Sequence, residues 1–502
     1  MRRMLSIAFV VAGLLPVSRG LGADERWMVV MLDGKKLGLA VERETADPQG
    51  NTVTSASMMF GMQRMGQAVS LGIATEFIEA KDGTPLKMTS RQDLGATSVV
   101  ESYEFIRGFA GNEVIHITSS QGRDTRRQRP WPEGAWLTPV AARSEVERRL
   151  TAGEATFAVT TLDPTVGLTP VVTTYAVVGP KDIEVFGKTV PAVQWTVSQS
   201  AMPGVSSSEF VDAHGRTLRS EIELGGMRLT LLASEKELAL SPFDPPELMA
   251  NTLVTPTGVK IEDARRAKRA SYVLSLGDGD AGALELVPGA GAQRMERLGE
   301  RRVRVTIEAG RSSPAVADAK DQRFTAASTM IDSDDPMVKQ LAMDVLGRIK
   351  GDARQRAEAL REAVSGHIRS ANLGVGLATA SEVVRTRTGD CTEYAVLLAA
   401  VLRAAGIPSR VVSGVVFVDE LAGAQRVFGY HMWAQAVVPG AGGEPVWIDL
   451  DSAIATPELG GIDATHIALA VTSLSEDDAM GSMAAMVGVL GRLAIEAERV
   501  EH

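Results

Sequence analysis

The sequence predicts an α+β protein, with a β-rich N-terminal region followed by a C-terminal domain in which helices precede an antiparallel sheet. Three observations carry this. From Trp27 to about Ser234, short Val, Ile, Thr and aromatic runs are separated by Gly, Asp-Gly and Pro-Gly turns, the mark of antiparallel strands. At Ser333-Asp334-Asp335-Pro336 the apolar period changes to 3.6. Beyond Gly406 it returns to two. A chain of 502 residues exceeds a single core, so two or three domains are expected. Hydrophobic residues at 45% and charged residues at 23% are typical of globular proteins. A net charge of -10 argues against a phosphate-binding surface, and so against nucleic acid as a partner.

The chain opens with Met1-Arg2-Arg3, an apolar run from Met4 to Pro16, and small residues before Asp24-Glu25-Arg26. This reads as a secretory signal over residues 1–23, cleaved between Gly20 and Ala23. The apolar run is shorter than the roughly 20 residues a helix needs to cross a bilayer, so no stable membrane span is expected. The protein is therefore expected to be exported, to the periplasm or the extracellular space.

Residues 24–240 are read as the antiparallel β domain. Two stretches in it, Glu76–Lys87 and Glu209–Arg219, both read as strand, tight turn, strand, a faint internal duplication. Met58, Met59, Met62 and Met65 offer the soft sulfur that selects Cu(I), but adaptable packing is the preferred reading. Arg123, Arg126, Arg127 and Arg129 before Pro130-Trp131 read as a solvated loop. Pro242, Pro245, Pro246 and Pro256 mark a linker over 241–262. Residues 263–325 follow as a small β segment, with Arg302–Ile307 alternating at period two and too few strands to fold alone.

Residues 326–502 form the last expected domain. Its first helix carries Val338, Leu341, Ala342, Val345, Leu346 and Ile349 on one side, and its second carries Ala357, Leu360, Ala363, Val364 and Ile368. After the glycine-bearing loop Asn372–Gly376, Thr379-Ala380-Ser381-Glu382 makes a capping box for a short helix ending near Arg387.

Then comes Cys391, the single cysteine of the chain. Exported proteins that use cysteine structurally carry pairs, so a lone one is either a small buried hydrophobe or a nucleophile. Its helix buries Tyr394 or Ala395, Leu398, Val401 and Leu402, and closes at Gly406 with Pro408 just beyond. A thiol in the first turn of a helix sits where the macrodipole and unpaired amides favour the thiolate, and the same amides can hold an oxyanion. Gly389 would let a substrate carbonyl come close to the backbone.

A thiol nucleophile needs a base, and the base an orienter. Strands are expected over Arg410–Val418, Val427–Val438 and Val446–Leu450, the last two joined as a hairpin by Gly440–Glu444. Alternation puts His431, Trp433 and Gln435 on one face, and Trp447, Asp449 and Asp451 on one face of the next strand, so that a carboxylate can stand beside His431. His116, His214, His367, His466 and His502 are scattered without ligand spacing and read as structural or surface residues.

Four motifs in order resemble the transglutaminase-like superfamily: Gly389-Asp390-Cys391-x-Glu393-Tyr394-Ala395, Leu402–Gly414, His431-Met432-Trp433 and Trp447-x-x-x-Asp451. The resemblance runs from about Asp335 onward and implies a papain-like arrangement, a cysteine-bearing helix packed on an antiparallel sheet. It implies Cys391 as nucleophile, His431 as general base and acid, and Asp451 as the residue that holds the imidazole. The tryptophan spacing favours Asp451, while Asp449 is a second carboxylate on the same face. Ser452-Ala453 stands where the family continues with Pro-Thr. Arg403 and Arg410 belong to the motif and are read as holding the helix end and strand start, and Trp433 and Trp447 as packing residues.

These features point to an exported thiol enzyme that cleaves an amide through an acyl-enzyme. Its substrate would be a peptide or protein amide. Water as acceptor gives a peptidase or amidase and an amine gives acyl transfer, a choice the sequence leaves open. The alternative is a non-catalytic cell-envelope binding module on the same fold. No Asp-x-Asp-x-Asp-Gly loop occurs, so neither a metal nor another cofactor is expected.

Overall fold

The computed structural model describes residues 24–502, apart from 65–66, 96–97, 109–110, 121–122, 203–204, 214, 225–226, 248–251, 278–283, 285–286, 372–377, 455, 457–458 and 476–490. The signal segment 1–23, Met65, His214 and the loop 372–376 lie outside the described residues. The chain divides near residue 246 into two compact units. The fold is mixed α+β, with a β-rich N-terminal region, as the sequence predicts.

The N-terminal unit is one 14-stranded sheet whose strands are numbered β1 to β14 in chain order. β1 (Asp24–Leu32) pairs with β14 (Met227–Ser234), while β8 (Arg123–Pro130) and β9 (Thr156–Thr161) are the edges. Helix α1 (Pro139–Thr151) joins those edges and packs Ala142 and Val146 against Phe157, Tyr175 and Trp195. The arginine run expected as a loop is thus an exposed edge strand. Arg126 and Arg127 are solvent-facing, and charge along an edge discourages pairing with another chain. Alternation along Thr52–Arg64 buries Met58 and Met62 and exposes Met59, so these thioethers do not converge on one point.

The C-terminal unit holds two five-stranded sheets and a short parallel pair, β20 (Ser370–Ala371) with β21 (Thr388–Gly389), the strands being numbered on from β14 in chain order. One runs β15 (Thr257–Gly258), β26 (Leu493–Glu501), β16 (Arg269–Leu276), β18 (Arg302–Glu308), β17 (Gln293–Gly299). The expected boundaries at 262/263 and 325/326 are therefore not breaks in the packing. β15 lies inside the supposed linker, and the small β segment takes a strand from the end of the chain. The segment also shares a core with the neighbouring sheet, where Tyr272 and Ile307 cluster with Val415, Phe417, Phe428 and Ile467.

The second sheet, which carries the site, runs β19 (Ser313–Pro314), β24 (Pro445–Leu450), β23 (Ala424–Pro439), β22 (Ser409–Leu421), β25 (Ile467–Thr472). Helices α2 (Pro336–Leu346), α3 (Ala353–His367), α4 (Ala380–Thr386) and α5 (Cys391–Ala404) gather on one side of it. The inner helix α5 is apolar all round because it is covered all round, with every residue from Ala395 to Leu402 buried. It meets the even-numbered face of β23 and β24, Ala434, Ala436, Val446, Ile448 and Leu450. Among the described residues, no helix is long and apolar enough to cross a membrane.

Candidate active site

The start of α5 is fixed by its own sequence. Asp390 caps it, accepting from the Thr392 amide at 2.9 Å, and the Glu393 carboxylate reaches back to the Asp390 amide at 2.9 Å, a capping box that ties down the turn bearing Cys391. Glu393 also accepts from the Ala378 amide and is fully buried. Burial, with the Asp390 charge beside it, pushes its carboxyl up to about 8. A Cβ on Gly389 would lie under 3.0 Å from Glu393 Cβ and Cγ. The glycine therefore makes room for the buried Glu393 side chain. Cys391 at the head of the helix is partly exposed and so can meet a substrate.

Past the helix, Gly406 adopts φ 75° and turns the chain into β22. Arg403 donates to the carbonyls of Ala326 (2.8 Å), Ser409 (3.0 Å) and Ser473 (2.7 Å), tying the helix end to the start of β22 and to the segment after β25. Arg410 donates to Gln435 Oε1 and lies over the Trp447 ring, whose Nε1 donates to Asp318. These are the structural roles expected of both arginines and of Trp447.

His431 is 5% exposed on β23, opposite Gly414 of β22. Asp451 is 1% exposed and follows the last residue of β24, where its amide donates to Gly460 O at 2.6 Å. His431 Nε2 donates to Asp451 Oδ2 at 2.7 Å. That leaves Nδ1 as the ring atom for Cys391, whose proximity is among the causes that raise the ring. Burial pulls the imidazole down, but Asp451 and Cys391 together outweigh it and hold His431 up at about 9. Burial likewise raises Asp451, and the two neighbouring histidines more than reverse it, keeping the carboxylate ionised well below its ordinary range. Ser452 Oγ donates to Tyr394 O at 3.5 Å, which brings the strand end to the first turn of α5. Cys391, His431 and Asp451 thus come together.

Asp449 does not join them. Its Oδ1 accepts from Trp433 Nε1 (2.8 Å) and Gln435 Nε2 (2.6 Å), and its Oδ2 from the Ala292 amide (2.7 Å). It anchors the Gly291 turn to the sheet.

His466, expected to be structural or superficial, is part of the cluster. It is 3% exposed, and its Nε2 donates to the same Asp451 Oδ2 at 3.2 Å. Its other nitrogen faces Asp463, which pairs with Arg265 at 2.7 Å. Burial lowers the His466 ring, but Asp463 and Asp451 overcome it and hold it at about 9. Histidine spacing gave no sign of this. The available signal was Gly460-Gly461, a turn able to fold the chain back on Asp451. His431, Asp451 and His466 offer ligand atoms within 4.8 Å of one another, a spacing that could hold a metal ion. Both Nε2 atoms are already committed to Asp451, so an ion there would have to displace both hydrogen bonds.

A cysteine-bearing helix on an antiparallel sheet, with a histidine and an aspartate joined beside the thiol, is an arrangement on which acyl-transfer chemistry can be built. Residues 339–452 match the family model of the transglutaminase-like superfamily, and the C-terminal unit carries a transglutaminase-like domain. No curated protein sequence matches the chain. Among solved structures, a β-barrel-like protein of a domain of unknown function from Brucella abortus is similar at 13% identity, with a TM-score of 0.32, over 43% of this chain and 98% of that one. A candidate cysteine protease from Cytophaga hutchinsonii is similar at 15% identity, with a TM-score of 0.26, over 47% of this chain and 86% of that one. A candidate protease from Parabacteroides distasonis is similar at 12% identity, with a TM-score of 0.18, over 75% of this chain and 69% of that one.

Proposed function

We propose that the C-terminal unit is a thiol enzyme acting on peptide or protein amides outside the cytoplasm. The observation that carries this reading is His431 held by Asp451 through Nε2 at 2.7 Å with its second nitrogen left for Cys391. His431 Nδ1 takes the thiol proton, and the sulfur attacks the amide carbonyl carbon. The Cys391 amide, the first N–H of α5, faces the developing oxyanion. The imidazolium returns its proton to the leaving amine as the C–N bond breaks, leaving a thioester on Cys391. Water or a second amine then attacks that thioester as His431 takes its proton, and the C–S bond breaks, the imidazolium returning the proton to the Cys391 sulfur as the acid or new amide leaves. Export rests on the charged, apolar and small-residue order of the first 23 residues.

The test is a thiol-directed acyl probe applied to the purified mature protein between pH 5 and 9. Labelling at Cys391 that falls by about a hundredfold or more in His431→Ala supports the reading. Labelling that is unchanged in that variant, or no faster than in the unfolded chain, overturns it. A fluorescent amine supplied with a glutamine peptide separates the acceptors, because transfer incorporates the amine and hydrolysis does not.

A further inference from the structure

We propose that His466 is a fourth member of the site, a positioning residue that clamps Asp451 and through it holds His431 in line with Cys391; this rests on the thiol-enzyme reading above. An ionised carboxylate only accepts hydrogen bonds, so both ring nitrogens that meet Asp451 Oδ2 are donors, His431 at 2.7 Å and His466 at 3.2 Å. Asp451 Oδ1 is occupied as well, by the amides of Ala453 at 2.7 Å and Ile454 at 3.4 Å. The carboxylate is thereby held from its own turn, from β23 and from the residue that leads into β25. Rotation about its last torsion, which would turn Oδ2 away from His431, breaks the His466 bond too.

His466 is itself held on every side. Asp463 Oδ1 accepts from the Thr465 amide (2.8 Å) and hydroxyl (2.5 Å), which shapes the turn, and Arg265 pairs with the other oxygen. The Ala464 amide donates to Ala267 O at 2.8 Å. The Trp433 ring stands edge-on to His466, centroids 5.4 Å apart at 87°, and lies nearly parallel to His431, centroids 6.0 Å apart at 22°. One indole therefore fixes both rings, and Asp449 fixes the indole. From His431 inward, basic and acidic side chains alternate: His431, Asp451, His466, Asp463, Arg265. Tyr394 also faces Asp451, and burial and that charge both push its hydroxyl up. A histidine serving only as core filling needs none of these partners on the far side of a catalytic carboxylate.

The single cysteine makes the test specific, since iodoacetamide can label only one thiol. The rate of alkylation is measured against pH for the wild type, His466→Gln and His466→Met, with His431→Ala and Asp451→Ala as references. Gln and Met have similar shape and no charge, but Gln keeps an N–H donor near the place of Nε2. The Met variant is expected to shift its profile upward by about one pH unit toward that of Asp451→Ala, which is about tenfold slower on the acid limb, and the Gln variant to stay within about threefold of wild type. An unshifted Met profile overturns the proposal, as does an equal upward shift in both variants, which is what loss of the positive charge alone would give. Thermal unfolding of the Gln variant shows that the comparison is made on folded protein. If His431→Ala and Asp451→Ala also leave the profile unmoved, it is the thiol-enzyme reading that fails. If they move it and Met does not, only the role of His466 fails.

Discussion

Gln435 stands directly opposite Asp449 across β23 and β24, and its side-chain amide donates to Asp449 Oδ1 at 2.6 Å. With Trp433 and the Ala292 amide on the same carboxylate, both oxygens of Asp449 are engaged by partners other than His431. This register decides between the two aspartates that share a face. Asp451→Ala is expected to slow Cys391 acylation by about a hundredfold or more, measured on the folded fraction, because it too leaves buried donors unpaired. Asp449→Ala is expected to lower stability by about 1–3 kcal/mol, through three orphaned donors, and to change acylation far less. Paired urea unfolding and acylation rates check both, and equal kinetic effects would contradict the assignment.

Gly389 offers a second test, because its role is steric. Gly389→Ala places a methyl against the buried Glu393 side chain, which is locked at both oxygens by the Asp390 and Ala378 amides and cannot swing away. Overpacking of this kind costs about 1–3 kcal/mol, read as a lower urea midpoint. The clash falls on the cap of α5, so Cys391 labelling is expected to fall as well.

The parts of this site legible in the sequence are those fixed by near neighbours. Asp390, Cys391, Glu393 and Gly406 announce both ends of α5 within one stretch, and period-two alternation locates β22, β23 and β24. What alternation cannot supply is register. It sets Asp449 and Asp451 on one face without saying which meets His431, and the answer came from Gln435 pairing with Asp449. The place of His466 is not legible in the sequence because its partner is reached through an irregular turn with Gly460 at φ 84° and Gly461 at φ 70°, which has no period to read. The same limit hid β26, whose partner β16 lies more than two hundred residues earlier in the chain.

Stability should fall as the pH rises from about 6.5 to 9. His431 and His466 are both held at about 9 in the fold, above the roughly 6.5 of an unfolded histidine, so their contribution is complete below 6.5 and lost as pH climbs through 9. In the other unit, burial holds Glu209 up at about 8 despite the Ser220 hydroxyl donating to it at 2.6 Å. Its sign is the same, because a raised carboxyl favours the fold while protonated and opposes it once ionised. Urea midpoints followed separately for the two units should decline between about 6.5 and 9 in the C-terminal unit and between about 4.5 and 8 in the N-terminal unit. Glu209→Gln should flatten the decline in the N-terminal unit alone.

Arg403 separates stability from chemistry in the C-terminal unit. Its guanidinium is buried, and burial lowers it only to about 10, so it stays charged at neutral pH while donating to three carbonyls from three parts of the chain. Arg403→Met strips the partner from the Ala326, Ser409 and Ser473 carbonyls at once, at about 1–3 kcal/mol for each group left buried and unpaired. Arg403→Lys keeps the charge but loses the planar fork that reaches Ser409 and Ser473 with one nitrogen and Ala326 with another, so it should recover only part of the loss. Neither change touches Cys391, His431 or Asp451, which belong to the opposite end of α5. Both variants should therefore unfold at lower urea while the pH profile of Cys391 alkylation in the folded protein stays where it is. A shifted profile at unchanged stability would place Arg403 in the chemistry instead.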